Sequence, residues 1–203
     1  GSVHIMGQAL ANLSTRYQHR ETSLAPITDL MARQFHQQPG NYLAFFSSYA
    51  YLEQALDNFR RAHPDIPVWA QSRSMNEAER QDFLERFTEH SRGVGFAVLG
   101  GAFGEGIDLP GKRLIGAFIA TLGLPQVNPV NEEVKARMQQ MFGNGYDYAY
   151  LYPGLQKVVQ AAGRVIRTPE DRGVVHLIDD RFGRAEVRAL LPRWWGLGAP
   201  PRR

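Results

Sequence analysis

The stretch QAAGRVIR, residues 160–167, decides the fold, and the remaining sequence reads as its support. On a helix starting after Pro153 and Gly154, Leu155, Val158, Val159, Ala162, Val165 and Ile166 recur at the three- and four-residue steps of one buried face. Each residue advances the helix by about 100°, so Gln160, Arg164 and Arg167 fall together on the other face within an arc of about 60°. Two guanidinium groups and an amide offered in one direction suit phosphate oxygens. Gly163 costs such a helix about 1 kcal/mol relative to Ala, in keeping with close approach of something to the backbone. Taken alone, two arginines at i and i+3 also describe an ordinary solvated face.

The chain has 203 residues, 43% of them hydrophobic and 21% charged, which suits one domain with a sizeable core. Its net charge is +3, but the charge is segregated. Residues 181–203 carry six arginines against Glu186 alone, whereas residues 76–90 carry five acids against two arginines. No cysteine is present, so this chain has no disulfide, no thiolate metal site and no ligands for an iron–sulfur cluster. That composition, with no secretory signal and no apolar run of membrane-spanning length, fits an intracellular protein, and a cytoplasmic location with no membrane partner is expected. Residues 1–6, GSVHIM, read as a cloning remnant, 7–196 as the domain, and 197–203 as a basic tail or the start of a linker.

In chain order, the pattern predicts a helix or helical arm over 8–20 and a helix over 24–38 with Pro26 early in it. Short, almost wholly apolar strands are expected at 42–46, 66–70, 94–99, 114–121 and 174–179. Helices are expected at 51–62, 76–90 and 131–142, besides the one carrying QAAGRVIR. Buried strands alternating with helices indicate an α/β fold, a parallel sheet with helices on both faces. Ser47 and Ser48 stand where the first strand hands over to its helix. A serine there either caps the helix or binds a phosphate together with the helix N-terminus.

Residues 100–111, GGAFGEGIDLPG, follow a strand, where open α/β sheets keep their ligands, and their glycines can present backbone N–H groups. Glu105 and Asp108 would repel a phosphate. They suit hydrogen bonds from a ribose, a bridge to a cation or the bracing of arginines; Asp108 also reads as a simple turn cap before Pro110. GIDLPGKR at 106–113 nearly satisfies a Walker A motif. The match fails because Arg113 replaces the magnesium-binding hydroxyl and LIGAFIAT, which follows, reads as a strand. The chain thus offers phosphate-binding arginines without a complete nucleotide site.

The pattern of Gln160, Gly163, Arg164 and Arg167 resembles motif VI of superfamily 2 helicases, and FGEGIDLPG at 103–111 resembles motif V of the XPD/DinG-type DNA helicases. NYLAFFSSY at 41–49 resembles the motif IV region, and GLPQVNP at 123–129 the loop that follows motif V. By this resemblance, spanning about residues 17–193, the chain is the second RecA-like (P-loop NTPase-type) motor domain of a DinG-like, ATP-dependent 5′ to 3′ DNA helicase. The resemblance implies that a first motor domain in the same chain supplies the P-loop and Mg²⁺ for ATP, and that an iron–sulfur cluster, if the parent has one, lies there. It implies catalytic roles for Arg167 as arginine finger, Arg164 beside it and Gln160, and nucleotide contacts for Glu105, Gly106, Asp108 and Gly163. Single-stranded DNA would meet Ser47, Ser48, Thr121 and, more weakly, Arg73. Other readings are a self-contained P-loop ATPase, a non-catalytic nucleotide-binding module of flavodoxin-like architecture, and a nucleic-acid-binding domain without a motor. Tyr146, Tyr148, Tyr150 and Tyr152 either stack bases or form a half-buried strand-like segment. Trp194 and Trp195 either close the core or contact a neighbouring domain.

Overall fold

The computed structural model describes residues 1–5, 13–101 and 107–197. Its centre is a six-stranded, wholly parallel sheet in the order β1-β6-β5-β2-β4-β3. The strands are β1 (Ser2–Ile5), β2 (Asn41–Phe46), β3 (Val68–Ala70), β4 (Gly93–Val98), β5 (Gly116–Ile119) and β6 (Val174–Leu177). Helices α1 (Arg20–Gln37) and α2 (Tyr49–Ala62) lie on one face. Helices α3 (Glu77–Glu85), α5 (Tyr152–Ala162) and the short α6 (Ala185–Arg188) lie on the other. Helix α4 (Pro129–Phe142) buries no residue of its own.

Side chains alternating along each strand divide the core between the two faces. Leu43 and Phe45 of β2 join the layer of α5, with Ala117, Ile119, Val158 and Ala162. Tyr42, Ala44 and Phe46 join the layer of α1 and α2, with Ile27, Met31, Leu52 and Phe59. All six β2 residues are buried because the strand is covered on both sides.

Several boundaries differ from the sequence reading, each for a local reason. Residues 13–16 are not helical, and α1 begins at Arg20 after a 3₁₀ turn over Tyr17–His19. Pro26 consequently sits inside α1 instead of in its first turn. Strand β3 starts only after Pro67, which has no N–H to give a ladder. Helix α3 stops at Glu85, well before residue 90. Beyond it, the Ser91 hydroxyl donates to Arg86 O at 2.7 Å, and Asn41 Nδ2 donates to Thr88 O at 2.8 Å, holding that segment as a turn under the sheet. The tyrosine segment is helical: Asp147–Leu151 form a π-helical turn leading directly into α5. Pro153 accounts for the irregularity, since its ring excludes the regular bond to the preceding turn. Ser2–Ile5, read as a remnant, pair in register with β6 as an edge strand. Trp195 is buried and Trp194 is 40% exposed.

Under β1, His176 stacks between His4 and Phe118 at ring distances of 5.3 and 5.5 Å, and its Nε2 lies 2.8 Å from Gln34 Oε1. Burial, reinforced by His4, pushes its pKa down to about 4. The folded state therefore holds it neutral while the unfolded chain protonates near pH 6.5. Stability should rise as pH increases from about 4 to about 6.5, by up to about 3 kcal/mol from this residue. Urea midpoints measured across that window test this, with His176→Gln flattening the rise.

Candidate functional site

Parallel strands give the sheet two unlike edges, and the candidate residues divide between them. Helix α5 starts at the C-terminal edge, where Gly154 and Gly123 meet backbone to backbone. A Cβ on Gly154 would lie 2.6 Å from Leu122 O, and one on Gly123, at φ +68°, 2.7 Å from Gly154 O. From this fixed start, eleven residues at about 1.5 Å each carry the chain about 16 Å to the opposite edge.

There α5 ends at Ala162, so Arg164 and Arg167 do not continue a helical face with Gln160. The bonds Arg164 N to Ala161 O (3.1 Å) and Val165 N to Ala162 O (3.0 Å) are one residue tighter than α-helical. Asp171 closes the turn: its Oδ2 accepts from Arg167 N at 2.7 Å and Thr168 N at 2.8 Å. These backbone donors hold the Asp171 carboxyl below the usual aspartate range, the Thr168 N–H foremost. Pro169 then prevents any return to helix. Val165 and Ile166 are buried in the core, which anchors the turn from within.

The descending arm of the glycine-rich segment meets this turn. Arg164 Nη1 donates to Ile107 O at 3.2 Å, and Arg167 Nη2 lies 3.4 Å from Asp108 Oδ1. Arg167 Nε also donates to Gly163 O at 3.2 Å. Both charged groups of the Arg167–Asp108 pair are more than half exposed, so water and salt screen it and another anion can replace it. Asp108 thus braces an arginine, one of the roles open to it from sequence, and does so at the N-terminal edge, although the loop leaves β4 at the other. Glu105 and Gly106 lie outside the described residues. Gln160 is exposed and makes no side-chain hydrogen bond among the described residues. Gly163 has an ordinary right-handed φ of −64°, and a Cβ there would meet only the carbonyls of Val159 and Gln160, at 3.3 Å. Its backbone therefore does not demand glycine.

A cavity of about 770 Å³ opens on this edge, lined by Arg164, Arg167, Arg92, Lys112 and Arg172 against Glu89 and Asp171. Such an excess of cations favours a polyanion with several phosphate groups. Lys112, Arg92, Arg172 and Asp171 escaped the sequence reading because only the tertiary fold gathers them; the Thr168-to-Asp171 spacing was the one available signal. The near-Walker segment ends in a 3₁₀ turn, Gly111–Arg113, followed by β5 and not by a helix. Among the described residues, no group of three or more His, Asp or Glu side chains could hold a metal ion. Among them, too, no helix is long and apolar enough to cross a membrane.

The other candidates stand at the C-terminal edge. Ser48 caps α2, accepting from Tyr51 N at 3.2 Å, and Ser47 accepts from Arg20 Nη2 at 3.2 Å. Arg73 lies over the Tyr49 ring at 5.5 Å and 3.8 Å from Glu53. Thr121 is buried, its hydroxyl accepting from Gly123 N at 2.9 Å, so its side chain serves the loop that seats α5.

The family model described as "Helicase C-terminal domain" matches residues 31–197. Regulator of telomere elongation helicase 1 of Bos taurus is 29% identical over 91% of this chain and 17% of its own length. The general transcription and DNA repair factor IIH helicase subunit XPD of Schizosaccharomyces pombe is 27% identical over 77% of this chain and 21% of its own. The chain thus spans about a fifth of these relatives. A solved XPD helicase structure superposes with a TM-score of 0.75 at 19% identity, covering 98% of this chain and 34% of that one.

Asp171→Ala should speed hydrogen exchange at the Arg167 and Thr168 amides about tenfold, while Asp171→Asn, which keeps an acceptor, should change it far less. Amide exchange followed by NMR measures both.

Proposed function

Since the chain belongs to the helicase C-terminal domain family, as the C-terminal RecA-like domain of an XPD/DinG-type superfamily 2 helicase, we propose that it closes the ATP site of a 5′ to 3′ DNA translocase. The observation that carries this reading is the opposition of the two edges. Phosphate-seeking arginines gather at one edge, and the hydroxyl and cation–aromatic groups suited to a nucleic-acid backbone gather at the other.

On this reading the first motor domain of the same chain supplies the P-loop and the Mg²⁺ ligands, and any iron–sulfur cluster lies outside these residues. The basic cavity fits a triphosphate in charge and size. Arg167 leaves Asp108 for the γ-phosphate as the domains close, and its charge offsets the negative charge developing on the transferred oxygens. Arg164 holds the Ile107 backbone, so the loop moves with the nucleotide. Asp108, released, accepts from a ribose hydroxyl, and Gln160, Gly163, Glu105 and Gly106 complete the contact surface. Ser47, Ser48, Arg73 and the Thr121 loop grip the single strand through its phosphates, with little sequence preference. Closing and opening of the two domains with each ATP advances the strand. This work takes place on cytoplasmic DNA during repair or replication.

The size of the cavity favours a second reading, a non-catalytic nucleotide- or nucleic-acid-binding module. ATP turnover separates the two. The intact helicase chain should hydrolyse ATP with stimulation by single-stranded DNA, and residues 1–203 alone should not. In the intact chain, Arg167→Ala should lower kcat by about 10³-fold or more while single-strand affinity is kept, and Arg167→Lys should not restore it. Stoichiometric ATP binding without turnover in the intact chain would support the module.

A further inference from the structure

The residues just before α1 are held far more firmly than a connecting segment requires. Asp179, fully buried, accepts from Thr15 N (2.9 Å), Thr15 Oγ1 (2.6 Å), Arg181 N (2.8 Å) and Arg181 Nε (2.8 Å). Arg16 pairs with Asp180 at 3.0 Å, and Asp180 N donates to Leu13 O at 2.9 Å. Residues 13–16 are therefore fastened to the C-terminal end of β6, and the next residues reach the C-terminal end of β2, where Arg20 donates to Ser47. What this fastening presents is Tyr17, 82% exposed.

The Arg20 guanidinium lies 4.9 Å from the Tyr17 ring and 5.1 Å from the Tyr51 ring. Among the described residues Arg20 forms no ion pair, and its buried Nε–H has no acceptor. A cation left without a carboxylate, beside a serine hydroxyl and an exposed ring, is an incomplete anion site. Across the β2–α2 turn, Tyr49 and Arg73 repeat the pairing, with Gln71 Nε2 donating to the Tyr49 hydroxyl at 2.9 Å. Glu53, 3.8 Å from Arg73, partly neutralises this second pair, so the Tyr17–Arg20 pair is the stronger.

We propose that these two tyrosine–guanidinium pairs flanking Ser47 and Ser48 form a single-strand track, in which Tyr17 stacks a nucleobase and Arg20, with Ser47, takes the adjoining phosphate. This rests on the reading of the C-terminal edge as the DNA side. Arg20 covers one face of Tyr17, and the ring's exposure leaves room for a base on its remaining surface. The anchored Thr15–Asp179 node holds the ring in place before the strand arrives, which lowers the ordering cost of binding. Stacking tolerates any base, as a translocating strand requires.

The test uses the intact helicase chain and fluorescence anisotropy with two labelled probes, a 15-nucleotide oligo-dT and a 15-unit abasic strand. Tyr17→Ala should weaken oligo-dT binding about 5- to 100-fold and leave the abasic strand unaffected, and Tyr17→Trp should restore oligo-dT binding. Arg20→Ala should weaken both probes and reduce the salt slope by about 0.7, with Arg20→Lys regaining most of the slope. Unchanged oligo-dT affinity in Tyr17→Ala, or an equal loss on both probes, overturns the stacking role while leaving the DNA-side reading in place. Failure of the unaltered chain to bind either probe overturns both.

Discussion

Six strands that all run one way force every connection to cross from one edge of the sheet to the other, and this polarity is the constraint on which the rest of the structure depends. Strand ends collect at one edge and strand beginnings at the other, so loops distant in sequence become neighbours by edge. The turn after α5, the Ile107–Gly111 arm and the residues before β2, β4 and β6 meet at one side. Ser47, Arg20, Arg73 and the loop after β5 meet at the other. Two chemistries are separated by the length of a strand, and any movement of one relative to the other passes through the packed core between them.

Helix α5 is the most direct connection across. Its start is seated by backbone contact between Gly123 and Gly154, which leaves no room for a Cβ at either position. Its end is set by the buried pair Val165 and Ile166 and by the two amide bonds to Asp171. The arginines thus project from a turn whose backbone is fixed, Arg164 half-buried against the Ile107 carbonyl and Arg167 with its side chain on the surface. Arg167 can exchange its screened bond to Asp108 for another anion without disturbing the core.

Asp179 does for the opposite edge what Asp171 does for this one. A carboxylate with no access to water is stable only when its lone pairs are satisfied, and Thr15 and Arg181 satisfy them. These bonds hold its pKa below the ordinary aspartate range despite burial, which acts in the opposite direction. The same contacts tie residues 13–16 to β6 and so define where α1, and with it Arg20, begins.

The apolar periodicities of residues 42–46, 94–99 and 155–162 were enough to establish a parallel α/β sheet covered on both faces, because burial on two sides leaves no polar alternation to mistake. Residue type and spacing marked Gln160, Arg164 and Arg167 as one group, of which the structure brings Arg164 and Arg167 to the same turn, and bracing an arginine was one of several roles open to Asp108. The route by which they meet was not legible. A continuous helix through Arg167 was expected, but Asp171 and Pro169 end it, and hydrogen bonds to a side chain four residues ahead leave almost no periodic trace. Of the two readings open for the tyrosine segment, the strand-like one fails: alternating tyrosines imitate a period of two, while Pro153 and packing against α4 give a π-helical turn. Sequence by itself determined which residues are apolar, which are charged and how often each recurs, and local pattern suffices for that. Only the tertiary structure decided which edge each loop reaches, which cations share a cavity and which tyrosine faces solvent, because those depend on contacts between residues far apart in the sequence, 27 positions for Arg20 and Ser47, 57 for Arg164 and Ile107 and 164 for Thr15 and Asp179.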